Sequence, residues 1–366
     1  MTDTAIKIGG ITSTSGALSY QNVVDTVKAH FQYVNERGGV NGRKLVYVSY
    51  DDGLDPARGM EAAKRLAEQD KVFALLGNFA IATTPQLVTS GYLQRNAMPL
   101  FGNHGVEEET FQTPWAWPVG IAAYRSGYTQ AQWLITQKNL KKICAIYLDL
   151  KPARWSLKGL REGAAKFGSP LVKEVPASLA QPDYGALLQT CQNAGAEAIV
   201  GITDAGGGIR MMQAHARLGM KIPVVGTEDY GGEAMKNQAG NAAKGLTAVD
   251  VWEIYSSRPG AKEYREAMQR YASRTQITGL STTAWVASKL FVDCLRKVGQ
   301  DITRSAMIAC YNTTTNWDSG LGPTVSYTPQ NHDGNRSPYF IQLQDVDGKL
   351  EWQTVSERIA ADIPRY

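Results

Sequence analysis

Residues 75–88 read LLGNFAIATTPQLV, an apolar run that breaks at Gly77 into small residues and restarts behind two threonines and a proline. Residues 71–77 (KVFALLG) are short, apolar and rich in strand formers, whereas residues 85–96 (PQLVTSGYLQRN) space their apolar side chains at helical intervals. The stretch therefore reads strand, loop, helix. Thr84 stands where an N-cap belongs and Pro85 where the first helical residue belongs. That arrangement predicts N–H groups open toward the loop at a positive helix end, which suits an anionic or strongly polar group. A capped turn that holds nothing has the same sequence.

The same alternation extends in both directions. Residues 5–16 (AIKIGGITSTSG) are a strand entering a Ser/Thr/Gly loop, residues 20–37 have helical periodicity, and residues 38–56 (GGVNGRKLVYVSYDDGLDP) give a turn, a strand and an acidic loop. Helix 57–69, strand 71–77, helix 85–96 and strand 98–103 follow. After a Pro/Trp-rich junction at residues 113–120 (TPWAWPVG) and a helix at 123–137, the pattern restarts with strands at 141–149, 171–177, 196–202 and 222–228. Helices at 155–168, 184–195 and 208–219 separate them. From residue 261 the order changes to two long helical segments around Trp285, a Gly/Pro/Asn-rich stretch, and a strand pair at 339–352. The expected fold class is α/β, two similar halves each built on a parallel sheet covered on both faces, with the tail tying them together.

Ligands of such sheets bind beyond the carboxyl ends of the strands. The loops there are TSTSGALSY (12–20), NFAIATT (78–84), GNHGVEE (102–108), DLKPARW (149–155), TDAGGG (203–208) and TEDYGG (227–232). They offer hydroxyls, one histidine, acids, aromatics and bare backbone, which is the inventory of a binding protein.

The bulk numbers exclude several classes. A chain of 366 residues suits two domains, and 43% hydrophobic with 20% charged residues describes a globular protein. A net charge of +4 without a Lys/Arg run argues against nucleic acid as a partner. No run reaches the ~18 apolar residues of a membrane span. The start, MTDTAIKIGG, lacks a charged region followed by an apolar one, so the chain reads as cytosolic or as a mature exported form with an added start. Cys144, Cys191, Cys294 and Cys310 form no CxxC pair and the four histidines are scattered, so zinc is disfavoured. One or two disulfides are open if the protein is exported, Cys294 and Cys310 being nearest in sequence, against buried free thiols.

No GxSxG, HExxH, phosphate-binding GxxxxGK[ST] or strand-to-helix GxGxxG motif is present, and no cofactor is expected. Gly206, Gly207 and Gly208 either let a ligand approach the backbone or serve the helix start. Asp51, Asp52 and Asp55 lack calcium-loop spacing and read as a solvated, helix-capping loop. Trp115 and Trp117 read as pocket walls or as hinge packing.

Several segments together resemble the type 1 periplasmic binding proteins, specifically the branched-chain amino-acid-binding (Leu/Ile/Val) family of ABC-transporter receptors. The resemblance is carried by residues 6–20, by 34–77 with its GGVNGRK turn, strand, YDD and D-P, and by MPLFGNHGVEEET (98–110). It continues through residues 141–149, 182–202 and 216–228 to VSYTPQNHDGN (325–335). It implies two Rossmann-like lobes with parallel sheets joined by a three-segment hinge: residues 1–121 plus 251–327 as lobe 1, 122–250 plus 328–366 as lobe 2, and the ligand cleft between them.

Carried over position by position, the resemblance implies ligand contacts at Tyr20, at Asn78, Phe79, Ile81, Ala82 and Thr83, at Asn103 and His104, and at Trp155, Asp204 and Glu228. Ile81 stands in place of a carboxylate-holding hydroxyl, although Thr83 and Thr84 are close. His104 and Gly105 replace a small residue and a threonine, and Asp204 replaces an aromatic. Glu228 keeps the acid that meets an α-ammonium group. Leu54 and Ala80 stand where some amino-acid binders carry a cysteine pair. The implied function is a non-enzymatic receptor, periplasmic or anchored outside the membrane with its signal peptide removed. It would capture a small polar or aromatic solute (amino acid, amide or aromatic acid) by closure and pass it, as a monomer, to an ABC permease. The alternative is a cytosolic ligand sensor of the same fold that regulates a partner protein.

Overall fold

The structure is a computed structural model that describes residues 2, 4–16, 18–360 and 363. Residues 1, 3, 17, 361, 362 and 364–366, which fall in the expected lobes and, for Ala17, in the expected 12–20 loop, lie outside the described residues. The chain divides into two units: the first runs up to Ala122 and resumes at Trp252–Asn335, and the second comprises Ala123–Val251 and the chain from Arg336 on.

The first unit opens with β1 (Ala5–Thr12), α1 (Gln21–Asn35), β2 (Lys44–Asp51), α2 (Pro56–Glu68) and β3 (Leu75–Leu76). Then come α3 (Thr84–Thr89), α4 (Tyr92–Arg95), β4 (Leu100–Phe101) and β5 (Ala116–Trp117). Its strands pair in parallel in the order β2-β1-β3-β4-β5. Between α1 and β2 the GGVNGRK turn closes with Val40 and Arg43 exchanging both backbone hydrogen bonds at 2.9 Å. Asn41 and Gly42 between them both have positive φ (51° and 77°), the combination a tight two-residue turn requires. Asp55 caps α2, accepting from the Ala57 N–H at 2.8 Å, with Pro56 at the first helical position.

Two expectations in this unit change. The strand expected at 71–77 is reduced to Leu75–Leu76, flanked by single backbone bonds such as Phe73 N–H to the Lys7 carbonyl at 2.7 Å. The helix expected at 85–96 breaks in two at Gly91, whose φ of +69° lies outside the helical region.

The second unit continues with α5 (Ala123–Thr136), β6 (Ile143–Leu148), α6 (Lys151–Lys166), β7 (Lys173–Ala177) and α7 (Gly185–Asn193). It goes on through β8 (Ala198–Ile202), α8 (Ala205–Arg217), β9 (Val224–Gly226), α9 (Glu233–Ala239) and β10 (Thr247–Asp250). The chain then returns to the first unit for α10 (Pro259–Tyr271), α11 (Gly279–Val298) and α12 (Arg304–Asn312), and back to the second for the hairpin β11 (Tyr339–Val346) and β12 (Lys349–Thr354). Among the described residues it thus crosses between units three times. The second sheet runs β12-β11-β10-β9-β8-β6-β7, parallel except at the antiparallel β11 and β12 edge. Every residue of β8 (AIVGI) is buried, which is why this strand reads as an unbroken apolar run.

Residues 328–335, assigned above to lobe 2, belong to the first unit. The His332 ring stacks on Trp117 with centroids 4.7 Å apart, and its Nδ1 lies 2.7 Å from the Ala116 carbonyl. Trp117 is fully buried among Phe101, Tyr311 and His332 and donates its Nε1–H to Asn312 at 2.9 Å. It is a core residue and not a pocket wall. All four cysteines pair: Cys144–Cys191 fastens α7 to β6 in the second unit, and Cys294–Cys310 fastens α12 to α11 in the first.

Candidate functional site

In the first unit the carboxyl ends of β1, β3 and β4 carry the expected binding loops. Asn78 and Phe79 bind back to β1: the Asn78 side-chain oxygen accepts from the Ile11 N–H at 3.1 Å, and the Phe79 N–H donates to the Ile11 carbonyl at 3.2 Å. The Phe79 ring sits between Tyr20 and His104, with centroid separations of 4.2 Å and 4.6 Å. Tyr20, Asn78, Phe79 and His104 are therefore brought together. Ile81 and Ala82 are half-buried.

The two threonines do not act as expected. The N–H groups of Thr83 and Thr84 both donate to the Ala80 carbonyl, at 3.0 and 2.8 Å, so they turn inward and not toward a ligand anion. Thr83 and not Thr84 precedes the helix, and its hydroxyl donates to the Asp52 carboxylate at 2.6 Å instead of capping. Asp52 is fully buried and accepts also from the Ser13 hydroxyl at 2.7 Å and the Leu54 N–H at 3.1 Å. It is the brace that joins the loops after β1, β2 and β3, where the sequence suggested a solvated acid. Neighbouring Asp51 behaves differently again. Burial pushes its carboxyl up, but the Ser15 hydroxyl and the N–H groups of Thr14, Gly53 and Ser15 outweigh it and bring the pKa to about 2.

His104 is likewise built in. Its Nε2 lies 3.0 Å from the Leu280 carbonyl and its Nδ1 3.4 Å from the Asn78 carbonyl, so the N–H of the neutral ring goes to Leu280. Burial drives its pKa down to about 4, and the two carbonyls offset this only in part. The ring carries no charge at neutral pH, its one N–H is used on Leu280, and its unprotonated Nδ1 faces the Asn78 carbonyl. Asn103 and Thr84, both fully buried, have polar side-chain atoms without a partner among the described residues, as does Glu107 in the loop of Asn103.

In the second unit the carboxyl ends of β8, β9 and β10 carry acids. Asp204 caps α8, one oxygen accepting from the Gly206 N–H at 3.0 Å and the Gly207 N–H at 3.3 Å, while the other has no partner among the described residues. Glu228 and Asp229 lie on a short 3-10 turn, Glu228–Tyr230, anchored by Tyr230, whose hydroxyl is 2.6 Å from the Thr203 hydroxyl. Gly208 and Gly226 make room for that anchor: a Cβ on either would meet the Tyr230 ring at 2.7 or 2.0 Å. The glycine triplet thus serves helix capping and packing, not backbone approach by a ligand.

These acids act on one another. Burial, then Asp229 and Asp250, hold the Glu228 carboxyl well above its ordinary range; burial, then Asp204, push Asp229 up to about 7. Asp229 and Asp250 were missed, though Asp229 adjoins Glu228 and Asp250 ends a strand, the position that matters in open α/β sheets. Trp155 is buried on α6 beside Tyr124 of α5, ring centroids 6.4 Å apart.

Two α/β units with parallel sheets, crossed three times by one chain, and polar loops at the strand ends define the class. A family model described as periplasmic binding protein matches residues 5–349, and the chain belongs to that family. The leucine-specific-binding protein of Salmonella typhimurium is 23% identical over 64% of this chain and 63% of its own length. The chain thus spans less than two thirds of that curated relative. A branched chain amino acid ABC transporter structure from Thermus thermophilus with bound valine superposes with a TM-score of 0.89 at 17% identity, over 99% of this chain and 98% of that one. A solute binding protein from R. palustris in complex with 4-hydroxybenzoate gives 0.85 at 21% identity, over 97% of each chain. At these identities the likeness to both structures is one of fold.

Proposed function

We propose that this chain is the extracytoplasmic receptor of an ABC importer, and that it captures a small solute whose cationic or hydrogen-bond-donating end meets the acids of the second unit. The reading rests on one observation: Glu228, Asp229, Asp204 and Asp250 gather at the carboxyl ends of neighbouring strands, where burial and then the neighbouring acids hold the Glu228 and Asp229 carboxyls above their ordinary ranges. Such a cluster costs stability in the empty protein and is offset when a positive group arrives. The Tyr20–Phe79 pair and the half-buried Ile81 and Ala82 give the first unit a less polar set of strand-end loops. An amino acid or an amide satisfies this pattern. Family membership supports a binding and delivery role to a permease, with no reaction performed on the solute, and we take the working form to be a monomer.

Pairing of all four cysteines favours an oxidising compartment over the cytosol, which weighs against the cytosolic sensor. A hydroxylated aromatic acid is the second reading, favoured by the R. palustris neighbour with its 4-hydroxybenzoate, since a phenol can donate to a carboxylate. A thermal-shift panel of amino acids, amides, polyamines and aromatic acids separates the readings. A solute at a hundred times its Kd adds about 2.7 kcal/mol, enough to raise Tm by several degrees. Shifts among amine- or amide-bearing solutes that disappear in Glu228→Gln support the proposal. Shifts confined to aromatic acids favour the second reading, and an unchanged response in Glu228→Gln removes that acid from the site.

A further inference from the structure

Glu107 lies in the 102–108 loop, 3% exposed, and neither oxygen of its carboxyl has a hydrogen-bond partner among the described residues. The Thr84 hydroxyl and both polar atoms of the Asn103 amide, on fully buried residues, are likewise without a partner among the described residues. The backbone around them is already fixed. The Glu107 carbonyl accepts from the Thr110 N–H at 3.2 Å and the Thr110 hydroxyl at 2.7 Å, the Asn103 carbonyl from the Val119 N–H at 3.0 Å, and the Thr84 N–H is held by Ala80. With these backbone groups occupied, the three side chains are placed to satisfy one another, directly or through an ordered water, because each open polar atom left buried is costly.

We infer that Glu107 is a positioning residue of the first unit, its carboxyl acting as a hydrogen-bonding acid toward Thr84 and Asn103 and so fastening the start of α3 to the 102–107 loop. Burial is the first cause holding this group protonated, its pKa pushed up to about 8. The Glu109 charge adds to this, while the Glu107 N–H, Asn103 and Thr84 pull the other way. The charges nearby do not change this. His104 is neutral, Glu108 lies within 3.5 Å of Gln112 on the same turn, and α3 and β5, against which residues 108–111 pack, contain no titratable side chain. A neutral acid supplies a donor as well as an acceptor where a carboxylate supplies acceptors only, so ionisation removes the Glu107 O–H donor and leaves a buried charge that Asn103 and Thr84 offset only in part.

The inference concerns the first unit alone and does not depend on which solute is bound. It is tested on the full chain without solute by following the Asn103 side-chain amide in NMR spectra from pH 6.5 to 9.5. In the wild type these signals should move with a single midpoint near pH 8. Glu107→Gln, which keeps a donor and an acceptor but cannot ionise, should give flat signals and keep the amide protected from solvent exchange; Glu107→Ala should lose that protection. Signals flat in the wild type, titrating equally in Glu107→Gln, or equally protected in Glu107→Ala would overturn it. If Glu107→Gln does not fold, Thr84→Val decides: removing a donor to the ionised form should raise the midpoint, and an unmoved midpoint refutes the contact.

Discussion

Asp229→Asn should make the empty protein more stable and the receptor worse. The Asp229 carboxyl, ordinarily at 3.8, stands at about 7 because burial and then the Asp204 charge disfavour its ionised form. Between those values the folded chain holds a proton that the unfolded chain has released, so the unfolded state binds fewer protons and stability falls as pH rises. The carboxyl's contribution is fully present below about pH 4, declines by about 1.4 kcal/mol per pH unit, and is gone above about pH 7, at most about 4 kcal/mol in all. Asparagine cannot ionise, so urea unfolding without solute should give a mutant-minus-wild-type difference that grows with that slope across the window and then levels. Titration calorimetry should show the converse for a cationic solute. Wild-type affinity should weaken toward tenfold per unit below pH 7 as the acid is neutralised, and the mutant should bind weakly with little of this pH dependence. A stability difference that is flat from pH 4.5 to 8.5 would refute the account of the acid cluster, whatever solute is found.

Three further outcomes follow from the geometry. Thr83→Val removes one of the donors on the buried Asp52 carboxylate and should cost about 1–3 kcal/mol in urea unfolding, with Thr83→Ser recovering most of it. Trp117→Ala should cost about 3–5 kcal/mol while leaving the solute Kd of the folded protein unchanged, because the ring is packed among Phe101, Tyr311 and His332. Replacing Cys294 and Cys310 by alanine opens a link between positions 16 apart and should cost about 3 kcal/mol; opening Cys144–Cys191, 47 apart, should cost about 4 kcal/mol, both read by denaturation.

The α/β architecture was legible because its determinants are local. Strand formers at 143–148 and 198–202, helical spacing at 57–68 and the Asn41-Gly42 turn each state their conformation within a few residues, and the structure follows them. The misreadings near residue 90 have local causes as well. Gly91 could be tolerated in a helix or could end one, and spacing of apolar residues does not distinguish these. The placement of 328–335 depended on something no window contains, the stacking of His332 on a tryptophan more than two hundred positions earlier. Local pattern gives the elements, and long-range packing decides which unit a connecting segment joins.

The site was harder to read because in this chain the polar residues of a loop serve two masters. Thr83, His104 and the N–H groups before α3 have the chemistry of ligand contacts, yet each is spent on holding a loop in place: Thr83 on Asp52, His104 on Leu280, the N–H groups on Ala80. A buried loop must satisfy its own donors and acceptors before it can offer any, and sequence shows the groups without showing their partners. Acids behave differently. A carboxyl buried among other carboxyls is held protonated, so Glu228 and Asp229 retain a proton that a positive group can displace, a response that their neighbours only sharpen. That asymmetry explains why Glu228 remains a strong candidate after the threonines and the histidine have been assigned structural work, and why the most informative group beside it is Asp229, whose pKa of about 7 places its response within easy reach of measurement.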